Sequence, residues 1–534
     1  MVAVLDVFEL RDRVIGDYAE YVRSFLKIKD DRIRQYALEQ LDKGVLWPDP
    51  LLQLTPSYEP GRTLPELVQE GILHPDTARF FRKKGGQPIR LYRHQEEAVR
   101  LARQGRSYLV TTGTGSGKSL TYMIPIYDEL VRHPQAAGHR AIRALIVYPM
   151  NALINSQLEA LKDFRRQYPD TPVTFDKYTG QTKEEDRQRI LANPPDILLT
   201  NYMMLELLMV RARERELVET MMSQLQFLVF DEVHTYRGRQ GADVAMLIRR
   251  VRQRAQNDRL ICIGTSATLV TEGDREARRR AAAEAASRLF GIPMGPDQVI
   301  DETLRRATEV EPPKTPDELR AAVLAPLPPE GDLEAFRRHP LAAWVETTFG
   351  VKQEGDRLVR REPVGLEAGI RALAEQSGLD ENLCREKLQG ILRLGNALRN
   401  EDDSPVFAFR LHQFVSGGGT VYATPERTDV RQLTVRPQRV IVGQDGKEKA
   451  LYPLHFCRYC GQEYYAVELI TRPAGGGEDS TEQVLEPWEE DDPTATEAGL
   501  AGYWVPDPDY SLWSGDDETL PDHWLEERKN GVSV

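Results

Sequence analysis

Residues 111–122, TTGTGSGKSLTY, constrain the fold of this chain more than any other stretch. They follow the apolar run 108–110 and precede a helix-forming segment at 120–130. A strand, a glycine-rich turn and a helix that opens on Gly-Lys-Ser are typical of a phosphate-binding loop, whose backbone N–H groups point at phosphate oxygens. The stretch therefore predicts an α/β domain with a phosphate site at the end of a strand.

Individual loop residues have distinct expected tasks. Lys118 is placed to reach the β- and γ-phosphates, and the Ser119 hydroxyl is placed to ligate Mg²⁺. The strict pattern has glycine at the position of Thr112, and a small residue suffices there. The residues expected to hold a nucleotide phosphate are Thr114, Gly115, Ser116, Gly117, Lys118 and Ser119.

Residues 86–300 alternate between strand-like and helix-like patterns. Apolar runs occur at 107–111, 142–148, 173–175, 196–200, 227–230 and 260–264. Helical stretches separate these runs, and such alternation predicts a parallel sheet covered by helices on both faces. Ligands of such sheets bind at the carboxyl ends of the strands.

Polar motifs follow several of these runs. Asp231 and Glu232 come directly after the run 227–230, where one carboxylate is expected to hold Mg²⁺ and the next to orient a water for attack on the γ-phosphate. After the run 260–264, residues 265–268 (TSAT) offer hydroxyls that are expected to bond the carboxylate and histidine side chains. Gln95 precedes the phosphate loop, and its amide is suited to pair with the edge of adenine.

Five motifs in order resemble the first motor lobe of a superfamily-2 helicase. They are TGTGSGKS, YPMNALINSQ, TNYMMLE, DEVH and TSAT, and they cover about residues 86–270. The segment that begins at Asp231, DEVHTYRGRQGADVAMLIRRVRQ, is similar to the Lhr-like and MrfA-like DNA helicases of bacteria. The resemblance implies a RecA-like lobe that hydrolyses ATP with Mg²⁺ and couples hydrolysis to movement on nucleic acid.

The same resemblance implies roles for single residues. Gln95 would contact adenine, Lys118 and Asp231 would act on the phosphates and the metal, and Glu232 would be the catalytic base. The residues that would couple hydrolysis to movement are His234, Ser266 and Thr268. The residues that would line the nucleic-acid path, mostly against backbone phosphates, are Pro149, Asn151, Gln157, Gly180, Thr200, Asn201 and Tyr202.

The remaining segments carry weaker signals. We predict a helical N-terminal region at 1–85, the RecA-like lobe at 86–300 and a helical accessory region at 301–400. A β-rich region at 401–470 and an acidic, tryptophan-containing linker or wrapping segment at 471–534 complete the division. The basic helix at 249–254 is either a solvated face or a strip that contacts the nucleic-acid backbone.

The four cysteines do not form a disulfide framework. Cys457-x-x-Cys460, followed by Gly461, is half of a zinc ribbon, because two cysteines at this spacing can bind one metal. A complete site needs four ligands, and neither His412 nor His455 has the usual paired spacing. Zn²⁺ binding and a cysteine turn without metal therefore both remain open.

Charge and hydropathy limit the classes of partner that the chain is expected to have. The net charge is −13, but residues 471–534 contain 17 Asp and Glu, so the rest of the chain is close to neutral. No apolar run approaches the ~20 residues that span a bilayer. We expect a cytoplasmic protein without a membrane partner that acts on DNA, with RNA as the alternative.

The second lobe that a superfamily-2 motor needs has no counterpart in the sequence. Its Gln-x-x-Gly-Arg-x-x-Arg signature, which would supply the arginine finger, is not found. We expect the chain to be the front part of a longer motor or one subunit of a split one, so that ATP hydrolysis needs a second RecA-like lobe downstream or in trans. The alternatives are a nucleotide-dependent DNA-binding subunit without turnover of its own, and an RNA helicase.

Overall fold

The computed structural model describes residues 6–113, 115–136, 140–267, 274–355, 357–400, 404–443, 446–473, 481–488, 500–505, 526–528 and 531–533. The chain folds into two compact units, each built from separated stretches. The larger comprises Gln53–Pro363 and Ile370–Arg410, and the smaller comprises Met1–Leu52, Val364–Gly369 and Leu411–Val534. This grouping differs from the five consecutive segments that the sequence suggested.

A seven-stranded sheet organises the larger unit. Its strands are β1 (Tyr108–Thr111), β2 (Ala144–Tyr148), β3 (Phe175–Lys177), β4 (Ile197–Asn201), β5 (Phe227–Phe230), β6 (Ile261–Ser266) and β7 (Val299–Asp301). The strand order is β7-β1-β6-β5-β2-β4-β3, and every neighbouring pair is parallel. This confirms the predicted parallel α/β sheet. None of the apolar runs in the sequence predicted β7.

Helices cover both faces of the sheet, because successive strand residues point to opposite sides. Val110, Ile146 and Val229 belong to the hydrophobic cluster on one face, whereas Leu109 and Leu228 belong to the cluster on the other. The helices of this region are Leu64–Gln69, Pro75–Phe80, Arg93–Arg103, Leu120–Arg132, Asn151–Gln167, Glu184–Ala192, Tyr202–Val210, Arg215–Gln224, Gly238–Ala255 and Arg275–Phe290, with 3-10 turns at Val233–Thr235 and Pro296–Gln298.

Short strands precede the sheet, within the region 1–85 and just after it. They are Leu51–Thr55, which crosses the unit boundary, Ser57–Tyr58, Pro60–Thr63 and Arg90–Tyr92. Ser57–Tyr58 pairs antiparallel with Leu304–Arg305, so this segment is tied to the chain that follows β7.

The accessory part of the larger unit is mostly helical, as predicted. Its helices are Pro316–Leu324, Leu333–Arg337, Pro340–Phe349 and Glu381–Ala397, and Leu366–Ser377 crosses the unit boundary. Gly395 lets two rings approach closely, since a Cβ at this position would lie 2.7 Å from atoms of Phe336 and Phe407. One β-hairpin, Val351–Glu354 with Arg357–Arg360, interrupts the helices and was not predicted.

The smaller unit contains residues from both the N-terminal and the C-terminal parts of the chain. The helices Val7–Ser24 and Asp31–Asp42 belong to it, and Ile33 and Ala37 share a hydrophobic cluster with Tyr452, Tyr465 and Val467. Its strands are Val364–Gly365, Tyr422–Ala423, Leu433–Thr434, Val440–Val442, Glu448–Ala450, Tyr452–Phe456, Glu463–Pro473, Thr481–Pro487, Leu500–Trp504, Glu526–Arg528 and Gly531–Ser533; Ala408–His412 crosses the unit boundary. The predicted β-rich character of residues 401–470 is therefore present, and the first helices pack against it.

Among the residues that the structure describes, no helix is long and apolar enough to cross a membrane.

Candidate nucleotide-binding site

The phosphate loop follows β1 and leads into the helix Leu120–Arg132. Gly115 and Gly117 have φ angles of +83° and +69°, which side chains rarely adopt, so glycine is required at both positions. The Thr112 and Ser116 hydroxyls lie 2.7 Å apart and close the loop from inside. Thr114, which the sequence assigned to the loop, lies outside the described residues.

Two side chains from the helix Arg93–Arg103 hold the carbonyl groups of this loop. The Gln95 amide donates to the carbonyls of Gly117 (2.9 Å) and Ser116 (3.3 Å), and its oxygen accepts the Tyr92 N–H (2.9 Å). The Nε2 of His94 lies 2.9 Å from the Ser116 carbonyl, which can only accept, so this nitrogen carries the proton. Burial lowers the pKa of His94, which keeps the ring neutral.

Gln95 therefore binds the loop through its amide nitrogen, and its predicted contact with adenine stays a prediction. A Cβ on Gly117 would lie 2.5 Å from the Gln95 Nε2 atom, so the two residues fit only with glycine in the loop. The conformation of the phosphate loop thus depends on the helix that precedes it.

The acidic pair occupies the end of β5. Asp231 is 7% exposed, and it accepts a hydrogen bond from the Thr265 hydroxyl at the end of β6. Burial raises the pKa of this carboxyl to about 6, because the charged form is poorly solvated. Glu232 has a φ of +51°, and its N–H donates to the same Thr265 hydroxyl (3.2 Å). Such backbone strain in a residue other than glycine is concentrated at functional sites.

Glu232 links the phosphate loop to the end of β6. Its Oε1 lies 3.1 Å from Lys118 Nζ, and its Oε2 lies 3.2 Å from the Nδ1 of His234. That imidazole nitrogen also lies 3.3 Å from the Ser266 hydroxyl and 3.3 Å from the backbone N of Ala267. Burial lowers the pKa of His234, so the ring is neutral at pH 7. Thr268, the last residue of this motif, lies outside the described residues.

The chemistry of these groups fits a magnesium–nucleotide complex. Among the described residues, no cluster of three or more His, Cys, Asp or Glu side chains is arranged to hold a metal by itself. Asp231 is a buried carboxylate whose ionised form a cation would stabilise, and Ser119 stands at the start of the helix that follows the loop. Nucleotide phosphates and water supply the remaining ligands of Mg²⁺ in sites of this kind.

The residues predicted to line the nucleic-acid path lie at the carboxyl end of β4 or in the segments that follow β2, β3 and β4, so they share the carboxyl edge of the sheet with the loop. Asn201 donates to Asn151 (2.8 Å) and accepts the Met204 N–H (2.8 Å), which caps the helix Tyr202–Val210. Pro149, Asn151, Gln157, Asn201 and Tyr202 are half-buried, and Gly180 is exposed. Thr200 differs, because it is fully buried and its hydroxyl donates to the Tyr178 carbonyl (2.7 Å). It therefore anchors the chain segment that follows β3.

The basic segment at 249–254 belongs to the helix Gly238–Ala255. Arg249 donates to the carbonyls of Ala245 and Arg288, and Arg252 donates to those of Phe290 and Gly291. These arginines therefore hold the C-terminal end of the helix Arg275–Phe290. This structural task concerns two of the four arginines; Arg254 is exposed, and both interpretations of the segment stay predictions.

The two cysteines of the smaller unit form a tight turn. Hydrogen bonds from the backbone of Cys460 and Tyr459 lower the pKa of the Cys457 thiol, and the Gly461 N–H donates to the Cys457 carbonyl (2.8 Å). The ring of His455 packs against Tyr503 at 5.3 Å. Within the described part of the chain, no third or fourth ligand joins the two sulfurs, so the residues present do not complete a zinc site.

Residues 92–275 match the DEAD/DEAH box helicase family model. The chain is 26% identical over 377 residues to Druantia protein DruE of Escherichia coli. The aligned region covers 48% of this chain and 20% of that protein. The chain is 31% identical over 189 residues to the ATP-dependent helicase HRQ1 of Saccharomyces cerevisiae, covering 33% of this chain and 16% of that protein.

Among solved structures, the DUF1998 helicase MrfA bound to DNA matches 47% of this chain and 30% of its own, with 25% identity and a TM-score of 0.38. The chain spans 20% of the length of DruE and 16% of that of HRQ1.

Proposed function

We propose that this chain, whose residues 92–275 form a DEAD/DEAH box helicase domain, is the ATP-binding lobe of an ATP-dependent DNA helicase or translocase. One observation carries the proposal. Glu232 joins Lys118 of the phosphate loop (3.1 Å) to His234 (3.2 Å), which in turn contacts residues 266 and 267 at the end of β6. The proposed base Glu232, the phosphate-binding Lys118 and His234, which contacts the end of β6, thus lie together at one edge of the sheet.

The residues take the following roles in ATP hydrolysis. Lys118 neutralises the β- and γ-phosphates, and the ion pair with Glu232 keeps its ammonium group in place. Glu232 orients and deprotonates the attacking water. Asp231 and Ser119 hold Mg²⁺, which offsets the charge that develops on the phosphate oxygens when it is bound.

His234 is proposed to transmit the state of this site. Its ring is neutral, so Nδ1 either donates a proton to Glu232 or accepts the Ala267 N–H, and it cannot do both at once. A change in the charge or position of Glu232 during hydrolysis would therefore change the bond to the segment after β6. This exchange supports the coupling role of His234 and Ser266.

The proposed nucleic-acid path runs over the carboxyl end of β4 and the chain segments that follow β2, β3 and β4. Asn151, Asn201 and Gly180 lie there at the same sheet edge as the ATP site, with half-buried or exposed surfaces. Amide groups and backbone N–H groups bind phosphates without choosing a sequence, as a translocating motor requires. DNA is the proposed partner because the residues after Asp231 resemble DNA helicases, and RNA is the alternative.

A second RecA-like lobe completes the proposed enzyme, either as downstream sequence or as a partner chain. The described residues contain one seven-stranded parallel sheet, and those described after it form helices and antiparallel strand pairs. An arginine from the second lobe would stabilise the transferring phosphoryl group. Such an arginine raises the rate of other nucleotide hydrolases by roughly 10³–10⁵.

The site assignment is tested by titrating the chain with a fluorescent ATP analogue. Lys118→Ala is expected to weaken binding at least about tenfold, because it removes a charge-assisted contact to the phosphates. Lys162→Ala is the matched control, since Lys162 is an exposed lysine whose ammonium pairs with Glu159. Equal affinity of wild type and Lys118→Ala would refute the assignment.

A further inference from the structure

The first residue after β1, Gly113, is held by two side chains that the sequence did not single out. Glu302 follows β7 directly, and β7 is the neighbour of β1, so the fold delivers this carboxylate to the start of the phosphate loop. Its Oε2 accepts the Gly113 N–H at 3.0 Å. The outermost strand of the sheet is thereby connected to the loop.

Arg360 completes the cluster from the end of the β-hairpin strand Arg357–Arg360. Its Nη2 lies 3.1 Å from Glu302 Oε2 and donates to the Tyr58 hydroxyl at 2.8 Å. The two charged side chains are 16% and 19% exposed, so water screens them little. Glu302 is therefore a partly buried carboxylate whose charge is balanced by one guanidinium.

The guanidinium also packs against the loop backbone. A Cβ on Gly113 would lie 2.6–2.8 Å from the Nη2, Cζ and Nε atoms of Arg360. The φ angle of Gly113 is not in the left-handed region, so the close approach of Arg360, and not backbone conformation, favours glycine at this position. The arginine plane thus occupies the volume that any other residue at this position would fill.

A hydrophobic base fixes the position of the arginine. Tyr58 is buried with Leu304 and Val351, and Val351 pairs with Arg360 across the hairpin. Burial raises the pKa of Tyr58 to about 12, so its hydroxyl stays neutral beside the ion pair. Asp301 also reaches the start of the loop, through the Thr111 hydroxyl (3.3 Å), and is paired with Arg275 (2.9 Å), so Glu302 and Arg360 form a separate charge pair beside Gly113.

We propose that Glu302 and Arg360 form a charge-balanced clamp that positions the phosphate loop and sets its affinity for a nucleoside triphosphate. The clamp makes the accessory hairpin at 351–360 part of the nucleotide site, and the affinity claim rests on the proposed function. Both side chains are positioning residues. Without Arg360, the uncompensated carboxylate of Glu302 would repel the phosphates and release the loop.

ATP affinity is the first readout. In the 534-residue chain, Arg360→Met is expected to weaken binding of a fluorescent ATP analogue at least about tenfold, which equals about 1.4 kcal/mol. Glu302→Gln is expected to bind at least as tightly as wild type, because a negative charge is lost. The double variant is expected to return to within about threefold of wild type, since it again carries no net charge.

Arg361→Met is the matched control. Arg361 is the next residue, it is exposed, and its side chain donates to the Thr347 carbonyl (2.6 Å). Its affinity is expected to equal that of wild type. A loss in Arg360→Met that Glu302→Gln does not restore would overturn the charge-balanced clamp, because a merely structural arginine would lose affinity in both backgrounds.

Thermal unfolding is a second readout that needs no nucleotide. Gly113→Ala is expected to lower the Tm in the wild-type background and to have little effect in an Arg360→Ala background, where the space is free. Equal effects in both backgrounds would overturn the clamp. Absence of ATP binding by the wild-type chain would instead overturn the proposed function and the affinity claim with it, so the two failures are distinguishable.

Discussion

Asp231 is proposed to hold Mg²⁺, and its burial has a cost that Asp231→Asn should reveal. The carboxyl has a pKa of about 6 in the fold against an ordinary value of 3.8. At 1.36 kcal/mol per tenfold change, this difference corresponds to about 3 kcal/mol of stability lost at neutral pH. Asparagine carries no charge and its oxygen still accepts the Thr265 hydroxyl, so Asp231→Asn is expected to be more stable without Mg²⁺.

The pH dependence gives the sign of the effect. Because the pKa is raised in the fold, the folded state binds a proton between about pH 4 and pH 6 that the unfolded chain has released. The stability of wild type therefore falls as the pH rises through this window. Asp231→Asn has no carboxyl at this position, so its stability lacks this pH dependence. The advantage of the variant is expected to be about 3 kcal/mol at pH 7.5 and about half of that at pH 5.

Urea unfolding at the two pH values, in EDTA, measures this difference. Asp243→Asn is the control, because Asp243 is an exposed residue of the helix Gly238–Ala255 and its change should stay within about 0.5 kcal/mol. A variant no more stable than wild type at pH 7.5, or an advantage that does not depend on pH, would refute the argument. Saturating Mg²⁺ and ATP should then favour wild type, since only the carboxylate binds the cation well.

Two further predictions concern catalysis and metal content. Glu232→Gln should retain ATP binding and lose hydrolysis, because the side chain keeps its shape and loses its basicity; a single-turnover assay with near wild-type rates would exclude Glu232 as the base. Any zinc found by elemental analysis of the purified chain should disappear in the double variant Cys457→Ser, Cys460→Ser, because these are the sulfurs with metal-binding spacing; zinc that survives the double substitution would exclude both cysteines.

The features that could be predicted from the sequence are those that neighbouring residues along the chain determine. Apolar runs and the polar residues after them placed Asp231 and Glu232 at the end of one strand and Lys118 in the loop that follows another, and a parallel sheet brings such ends together. The hydroxyls after the run 260–264 were expected to bond carboxylate and histidine side chains, and the structure places Thr265 and Ser266 in such bonds.

What the sequence did not predict depends on contacts between distant segments. β7 is three residues long and follows a turn, so it has no periodic pattern. Glu302 and Arg360 are ordinary charged residues until the fold places them on Gly113. The packing of the first helices with the C-terminal strands likewise has no local signal, and the link from Gln95 to the loop became visible only in the structure.

We propose that this chain is one lobe of an ATP-driven DNA motor. Steady-state ATPase activity, measured with and without single-stranded DNA, tests it most directly when the chain is assayed alone and joined to a second RecA-like lobe. We expect very slow, DNA-independent turnover for the chain alone, and a gain of roughly 10³–10⁵ with DNA stimulation when the second lobe is present. Strong DNA-stimulated turnover by the isolated chain, or stimulation by RNA and not by DNA in the joined form, would contradict it.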